Sequence, residues 1–562
     1  MKYSILVDIY QEIESTTKTL EKTAILAKFL KKISVTELEE IILLLQGRAF
    51  PEYDVRDLGL GTQLAIKAIS SSSGSNVDKV KQMWKKTGDL GETASQLIGN
   101  KKQATLFSKS ITTSKVLQNL QKLAELEGAG TVDKKVSLLK ELLSSASGNE
   151  AKYIIRTCLN DLRVGIGQGT LRDAISEAFE VDKTEVQKAY NQIVDFGEVA
   201  QLAKEGGDKS LRTAKITIGK PIKAMLYQKA ADIENAFERV GSPAAFEYKF
   251  DGFMCQIHKK GDKVQLFTRN QEEVTKQFPD VVERVKKHVT ENNVILDSEI
   301  VGIDFKTGNW LPFQSISQRI KRKYDIEETI RKIPVVIQVF DIMFYKNTST
   351  IDLPFNERRK LVKSIIKTVK DKLEIAKQII TSSEKEVEKF YNESLAKGNE
   401  GVMAKNLEAE YKPGSRVGYG VKIKPIMEPL DLVIVGAEWG SGKRAGWLSS
   451  FILACRNSEG KFLEIGKMGT GIKEKEEMGT SFEELTKLLK PLIISESGKI
   501  VKVKPKIIVE VAYEEIQKSP TYMSGFALRF PRLIKLRTDR NIKNMNDLAK
   551  INLLYSLQRG RI

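Results

Sequence analysis

Residues 246–252 read FEYKFDG, a stretch that alternates in period two. The alternation puts Phe246, Tyr248 and Phe250 on one face of a strand and Glu247, Lys249 and Asp251 on the other. A lysine set between two carboxylates is either a surface ion pair, worth little to stability, or a nucleophile. In the second reading Gly252 marks where the backbone passes close to a ligand. A lysine amine titrates near about 10.4, so it attacks poorly at neutral pH unless its surroundings lower that value. Flanking carboxylates alone oppose the shift, whereas burial, neighbouring cations or a metal favour it. If Lys249 is a nucleophile, the fold must bring cations to it.

Suitable groups lie later in the chain. In VKIKP (421–425), Lys422 and Lys424 share one face of an alternating run, with Val421 and Ile423 opposite. EGVMAK (400–405) offers Glu400 and a further lysine around an apolar segment. VILDSEIVG (294–302) reads as a strand carrying Glu299, and IPVVIQVFDIMFY (333–345) as a buried central strand. Phe340 on that strand is either core or a platform on which a base stacks. GSGKR (440–444) fails as a phosphate loop, because Ala437 takes the first glycine position and Arg444 replaces the required Ser/Thr.

The elements that must position these groups fall into three textures. Residues 1–215 read as helices, with Leu6, Ile9, Tyr10 and Ile13, and Ile25, Leu26, Phe29 and Leu30, at helical spacing. Gly/Ser clusters such as SSSGSN (71–76) punctuate them. From Ile216 short β-rich runs alternate with polar turns, and Lys259-Lys260-Gly261-Asp262 supplies a hairpin. From Asp431 the chain again reads as short strands (DLVIVGAEW, LSSFILAC, KIIVEVAY), which suggests a small barrel. Pro425 and Pro429 bracket the hinge before it. The expected domains are 1–215, 216–427 and 428–562, a multidomain α+β architecture.

Composition bounds the partners. The 562 residues carry 91 Lys+Arg against 73 Asp+Glu, a formal +18 that favours a polyanion without naming one. A Lys/Glu-rich solvated surface is the alternative. With two histidines, His-based catalysis and His-rich metal sites are not expected. Cys158, Cys255 and Cys455 are too scattered for a disulfide framework or a zinc site. No apolar run approaches bilayer length, and the N-terminus turns acidic too early for a signal peptide. A cytoplasmic, nucleoid-associated protein without a membrane is the expectation.

Lys-x-Asp-Gly alone is a weak signal; the ordered set is specific. EYKFDG, Glu299, FDIMFY, EGVMAK and KIKP, followed by RFPRLIKLRTDR (529–540), resemble the covalent nucleotidyltransferase superfamily. IQKSPTYMSGFALRFPR (516–532) and NDLRVGIGQGTLRDAI (160–175) extend the resemblance across the chain to archaeal-type ATP-dependent DNA ligases. It implies an all-α DNA-binding domain, a mixed α/β (ATP-grasp-like) adenylation domain and a C-terminal OB-fold barrel with a terminal helix. These would encircle nicked duplex, and the chain would act as a monomer in replication, repair and recombination.

The implied chemistry is AMP transfer from ATP to Lys249, then to the 5′-phosphate at a nick, then displacement of AMP by the 3′-hydroxyl, with Mg²⁺ assisting. Carried over by motif, Glu247 lies by the adenine and Phe340 stacks on it. Glu299 contacts the ribose or a metal, and Glu400 is the metal-binding carboxylate. Lys422 and Lys424 contact the AMP phosphate, and Arg269 and Arg416 are phosphate or nucleotide contacts. Asp251 orders the nick end or ribose, while Arg537, Asp539 and Arg540 close over pyrophosphate. QATLF (103–107), with Gln103, Leu106 and Phe107, resembles a segment that binds the sliding clamp (PCNA); an ordinary helix–loop junction is the alternative.

Three positions depart from the family pattern. Met254 stands where arginine is usual, Gly420 where an aromatic precedes the paired lysines, and Arg540 where lysine is usual. Competing functions are an RNA ligase, an RNA-capping guanylyltransferase, and a catalytically weak or silent nick-binding protein. An NAD-dependent ligase is disfavoured because the zinc-binding cysteines are missing.

Overall fold

Apolar stripes at helical spacing become buried helix faces over the first part of the chain. The computed structural model describes residues 1–558 other than 55, 100–109, 127–129, 321, 323, 426, 441–443, 445 and 475–478. The expected clamp segment with Gln103, Leu106 and Phe107, and most of GSGKR, lie outside the described residues. Among those described, twelve helices run from Tyr3–Glu14 to Phe196–Leu211 around one core. Leu6, Tyr10, Ile13, Leu26, Phe29 and Leu30 all point into it. The Gly/Ser cluster at 71–76 separates two helices as expected: Thr62–Ser73 stops at Gly74, whose φ of 70° a glycine adopts without strain, and the next helix begins at Val77. Arg156 is buried here, 2.7 Å from Asp89 and 2.9 Å from Glu14.

The middle unit is two sheets facing across a cleft. Its strands are β1 (Leu226–Lys229), β2 (Ala244–Lys249), β3 (Phe253–Lys260), β4 (Lys263–Thr268), β5 (Asn293–Ile303), β6 (Trp310–Leu311) and β7 (Val335–Tyr345). They continue as β8 (Thr348–Ser349), β9 (Leu373–Ile375), β10 (Gln378–Thr381), β11 (Gly401–Asn406) and β12 (Arg416–Ile423). One sheet runs β1-β12-β11-β2-β10; the other runs β4-β3-β5-β7-β8, with β6 on β5 and β9 on β7. Phe246, Tyr248 and Phe250 pack behind the first sheet against Phe390 and Val387 of helix Glu384–Ala396. The faces of β3, β5 and β7 turned away from the cleft form a second core with helices Pro279–His288 and Phe355–Ile365. Asp341 and Arg358, both 1% exposed, lock the latter helix to β7 at 2.8 Å. The hairpin read from the sequence is present: Lys260 pairs with Lys263 around Gly261, whose φ is 58°.

The C-terminal unit is β-rich. It comprises β13 (Leu430–Trp439), β14 (Leu448–Arg456), β15 (Phe462–Met468), β16 (Ile493–Ser497), β17 (Ile500–Val503) and β18 (Ile508–Ala512). β19 (Glu515–Lys518), β20 (Phe526–Arg529), β21 (Arg532–Leu536) and helix Leu548–Leu557 follow. β13 is the shared strand: β18 and β17 pair with successive parts of it on one edge and β14 on the other. β19 and β20 form a separate hairpin that reaches toward the middle unit. Its core is independent of the other two.

Candidate functional site

Lys249 ends β2 and faces the cleft between the two middle sheets. A cavity of about 680 Å³ opens there, lined among others by Glu247, Lys249, Asp251, Met254, Arg269, Glu299, Phe340, Glu400, Lys422 and Lys424. The alternation in β2 produces this: its odd side chains point into the cleft while its aromatic face is core. Neither sequence neighbour is the ion-pair partner of Lys249. Its Nζ lies 2.7 Å from Glu400 Oε2, and the same oxygen is 2.8 Å from Lys424 Nζ. Glu400 is only 7% exposed, so this is a buried triad and not a surface pair. β11 and β12 put Glu400 and Lys424 there, because Gly401 pairs with Lys249 and Val402 with Ile423.

The charges around Lys249 hold it in its protonated form. Burial pulls the amine down, but Glu400, Glu299 and Asp251 together outweigh that, so it stands above its ordinary value. Burial pushes Glu299 up to about 8, against the attraction of Lys249. Burial also raises Glu400, yet Lys249 and Lys424 carry it well below the usual carboxylate range. Lys422 goes the other way: burial, then Lys424 and Lys249, lower it. The resting cavity therefore holds Lys249 as a cation, and an incoming anionic group is what it attracts.

Among the described residues no group of three His, Cys, Asp or Glu gathers as a protein cage for a metal. Glu299 and Glu400 instead face one cavity with room for phosphate oxygens. That donor set suits Mg²⁺, which is commonly held by one or two carboxylates plus substrate phosphates and water.

Two of the three departures, Gly420 and Met254, acquire physical meaning. Gly420 is small because Tyr227 of β1 takes the space: a Cβ there would stand 2.2 Å from its ring. Tyr227 lines the cavity, so an aromatic is present, supplied by another strand. Nothing in the sequence of a four-residue strand flagged it. Met254 lies in cross-strand register with Glu299, leaving that carboxylate without an adjacent arginine on β3. Gly252 is needed for the fold itself, since a Cβ would meet the Ile300 carbonyl oxygen at 2.2 Å. Asp251 is buried, and its Oδ2 accepts from the Phe313 amide at 3.4 Å.

Not every expected residue gathers here. Arg416, at the start of β12, is exposed and lines no part of the cavity. Arg537 turns to the C-terminal unit itself, 2.9 Å from Asp431 and 2.8 Å from Asp539, and Arg540 lies 3.5 Å from Asp431. In their place the β19–β20 hairpin presents Glu514, Arg529 and Phe530 to the cavity. Glu514 lies 3.5 Å from Lys424, and Arg529 lies 3.7 Å from Glu400. Arg529 and Phe530 lie in stretches that stood out in the sequence and Glu514 lies just before them, but no role was legible for these three side chains. Phe530 remains exposed, at 67%.

Comparison with known proteins bears on the whole chain. Residues 2–176 match the family description "DNA ligase N terminus", 224–424 "ATP dependent DNA ligase domain", and 444–540 "ATP dependent DNA ligase C terminal region". The chain is 47% identical to "DNA ligase" of Nanoarchaeum equitans (strain Kin4-M), covering 100% of both chains. It is 42% identical to "DNA ligase" of Thermococcus fumicolans, covering 99% of each. A solved structure named "Pmar-Lig_Pre." shares the fold with a TM-score of 0.56, at 16% identity over 95% of this chain and 99% of that one.

Proposed function

The chain belongs to the ATP-dependent DNA ligase family, and from that premise we infer that Lys249 is the nucleophile that carries AMP. The protein uses ATP, binds nicked DNA and seals the nick. The observation that carries the residue assignment is the placement of Lys249 in one cavity with Lys422, Lys424 and Arg269. Lys249 Nζ first gives up a proton to solvent and then attacks the α-phosphorus of ATP: a P–N bond forms, the bond to pyrophosphate breaks, and the nitrogen releases a second proton to solvent. Lys422 and Lys424 bear on the phosphate, and Phe340 and Glu247 on the adenine face and edge. The AMP then moves to the 5′-phosphate, and attack by the 3′-hydroxyl releases it. Each step is transfer at phosphorus, where positioned cations do most of the work.

Glu299 and Glu400 would hold Mg²⁺, with Asp251 ordering the ribose or nick end. Bound there, the ion neutralises phosphate charge. Arg537, Asp539 and Arg540 act on pyrophosphate only if the C-terminal unit re-docks with that face toward the cavity. Arg416, exposed outside the cavity, would contact phosphate or nucleotide only from its rim. The domain limits 1–215, 216–427 and 428–562 are supported by the helix ending at Leu211 and the strand beginning at Leu430. A monomer working at the nucleoid in the cytoplasm fits this reading, in replication, repair and recombination. Gln103, Leu106 and Phe107 would tether it to the sliding clamp; equal retention of wild type and Phe107→Ala on immobilised clamp would remove that assignment.

The deciding experiment is intact mass after incubation with ATP and Mg²⁺, using protein first stripped of AMP by pyrophosphate. One AMP adduct is expected, mapped to the peptide containing Lys249 and absent from Lys249→Ala. An adduct on Lys422, the lysine whose surroundings lower its value, would overturn the assignment. Nick binding without any adduct would favour the silent binder, a reading that Met254 beside Glu299 supports.

A further inference from the structure

Two residues before Lys249 on β2, the cavity wall holds another buried carboxylate whose partners are all donors. Glu247 is 2% exposed. Its Oε1 accepts from Gln378 Nε2 at 3.0 Å and lies 3.4 Å from Arg359 Nη1, and its Oε2 lies 2.7 Å from Lys405 Nζ. Strand register enforces this, since Glu247 is the Cα partner of Gln378 on one side and Met403 on the other. Arg359 also donates to the carbonyls of Val339, Phe340 and Ala376, so one guanidinium ties the carboxylate to the strand bearing Phe340. Lys405 Nζ lies 4.9 Å from the Phe340 ring centroid.

We propose that Gln378, Arg359 and Lys405 are positioning residues that set base selection by clamping Glu247 as a fixed hydrogen-bond acceptor. A carboxylate offers about four acceptor sites. One hydrogen bond and two ion pairs fix the orientation of the group, which lines the cavity. A six-amino purine can donate to it, a six-oxo purine presents an oxygen and is repelled, and a purine with hydrogen at that position offers nothing. Lysine, arginine and an amide N–H cannot accept, so the clamp admits no alternative polarity. The inference rests on AMP transfer at Lys249.

The test compares single-turnover formation of the lysyl adduct from ATP, GTP and purine ribonucleoside triphosphate (hydrogen in place of the amine). The proteins are wild type, Gln378→Leu, Lys405→Met and Lys405→Arg. Wild type is expected to favour ATP over the six-hydrogen analogue by roughly 10- to 100-fold, the range of one hydrogen bond to a charged group. Gln378→Leu and Lys405→Met should shrink that ratio several-fold, through KM rather than the rate at saturation, and Lys405→Arg should restore it. A ratio that stays at the wild-type value in both variants, with ATP and analogue slowed alike, would assign these residues to the fold and overturn the proposal. Equal use of ATP and GTP by wild type would also overturn it. Absence of any adduct from wild type would strike the Lys249 assignment itself. Gln378→Leu removes a half-buried partner and leaves both ion pairs, so it remains informative if Lys405→Met does not fold.

Discussion

Gly252→Ala should uncouple folding from the first chemical step. The added Cβ would stand 2.2 Å from the Ile300 carbonyl oxygen and 2.9 Å from both its carbonyl carbon and Glu299 Cγ. Packed carbons sit about 3.5 Å apart or more, so β5 and the turn at Gly252 must part by roughly 1 Å. The obstacle is backbone, and β3 is already registered to β5 from Phe253 onward, so the displacement passes to the turn and to Lys249 just before it. A misplacement of about 1 Å can cost on the order of 100-fold in rate, about 2.7 kcal/mol. The strain itself should lower stability by about 1–3 kcal/mol. Adduct formation followed by rapid-quench mass measurement reads the first quantity, and a urea titration the second. Gly261→Ala is the control: its added Cβ meets nothing within 4 Å, and only its φ of 58° resists, so stability falls slightly while the adduct forms at the wild-type rate. If Gly252→Ala forms adduct as fast as wild type, the turn does not position the lysine and the reasoning fails.

Three further outcomes follow from contacts already described. Gly420→Trp should lower Tm by several degrees because Tyr227 fills the site, and adding Tyr227→Ala should recover most of the loss; a stable single variant would disprove the interlock. Arg156→Met strips the shared partner from Asp89 and Glu14 and should cost about 3 kcal/mol in urea, with a change below about 1 kcal/mol showing that water reaches the pair. Because Lys249 stands above its ordinary value, the free amine is scarce at neutrality and is lost as pH falls. The single-turnover adduct rate should therefore rise about tenfold per pH unit between roughly pH 6 and 8, and a flat profile would mean another event limits the step.

The chemistry-bearing strand was legible because period-two alternation is a local property. FEYKFDG could only be a strand with unlike faces, and β2 has them. Partner choice was not local. The sequence placed Glu247 and Asp251 on the same face as Lys249, but side chains two apart on a strand stand about 6.6 Å apart along it, and the ion-pair partner came instead from Glu400 at the start of the neighbouring strand. Glu247 was claimed by Lys405 and Gln378, which the β10-β2-β11 order brings together, and by Arg359 from helix Phe355–Ile365. Gly420 read as a loss until Tyr227 was found in its space, a swap between strands that no single stretch records. Motif order named Arg537 and Arg540 but carries no information about which face of the C-terminal unit meets the cavity.

That last point turns on how contact strength is distributed. Asp341–Arg358 is 1% exposed on both sides, and Glu247–Lys405 is 3% and 7% exposed. Breaking either leaves a buried charge unpaired, at about 3–5 kcal/mol. The ion pairs joining the C-terminal hairpin to the middle unit are of another kind. Lys424–Glu514 spans 3.5 Å with Glu514 half exposed, and Arg529–Glu400 spans 3.7 Å. Such long, wetted pairs contribute about 0–1 kcal/mol and weaken with salt. Lys424 and Glu400 also retain each other at 2.8 Å when the hairpin leaves, so undocking strands no buried charge. The sheets that hold Lys249 are thus fastened by contacts that cannot be exchanged cheaply, while the hairpin over them is held by contacts that can.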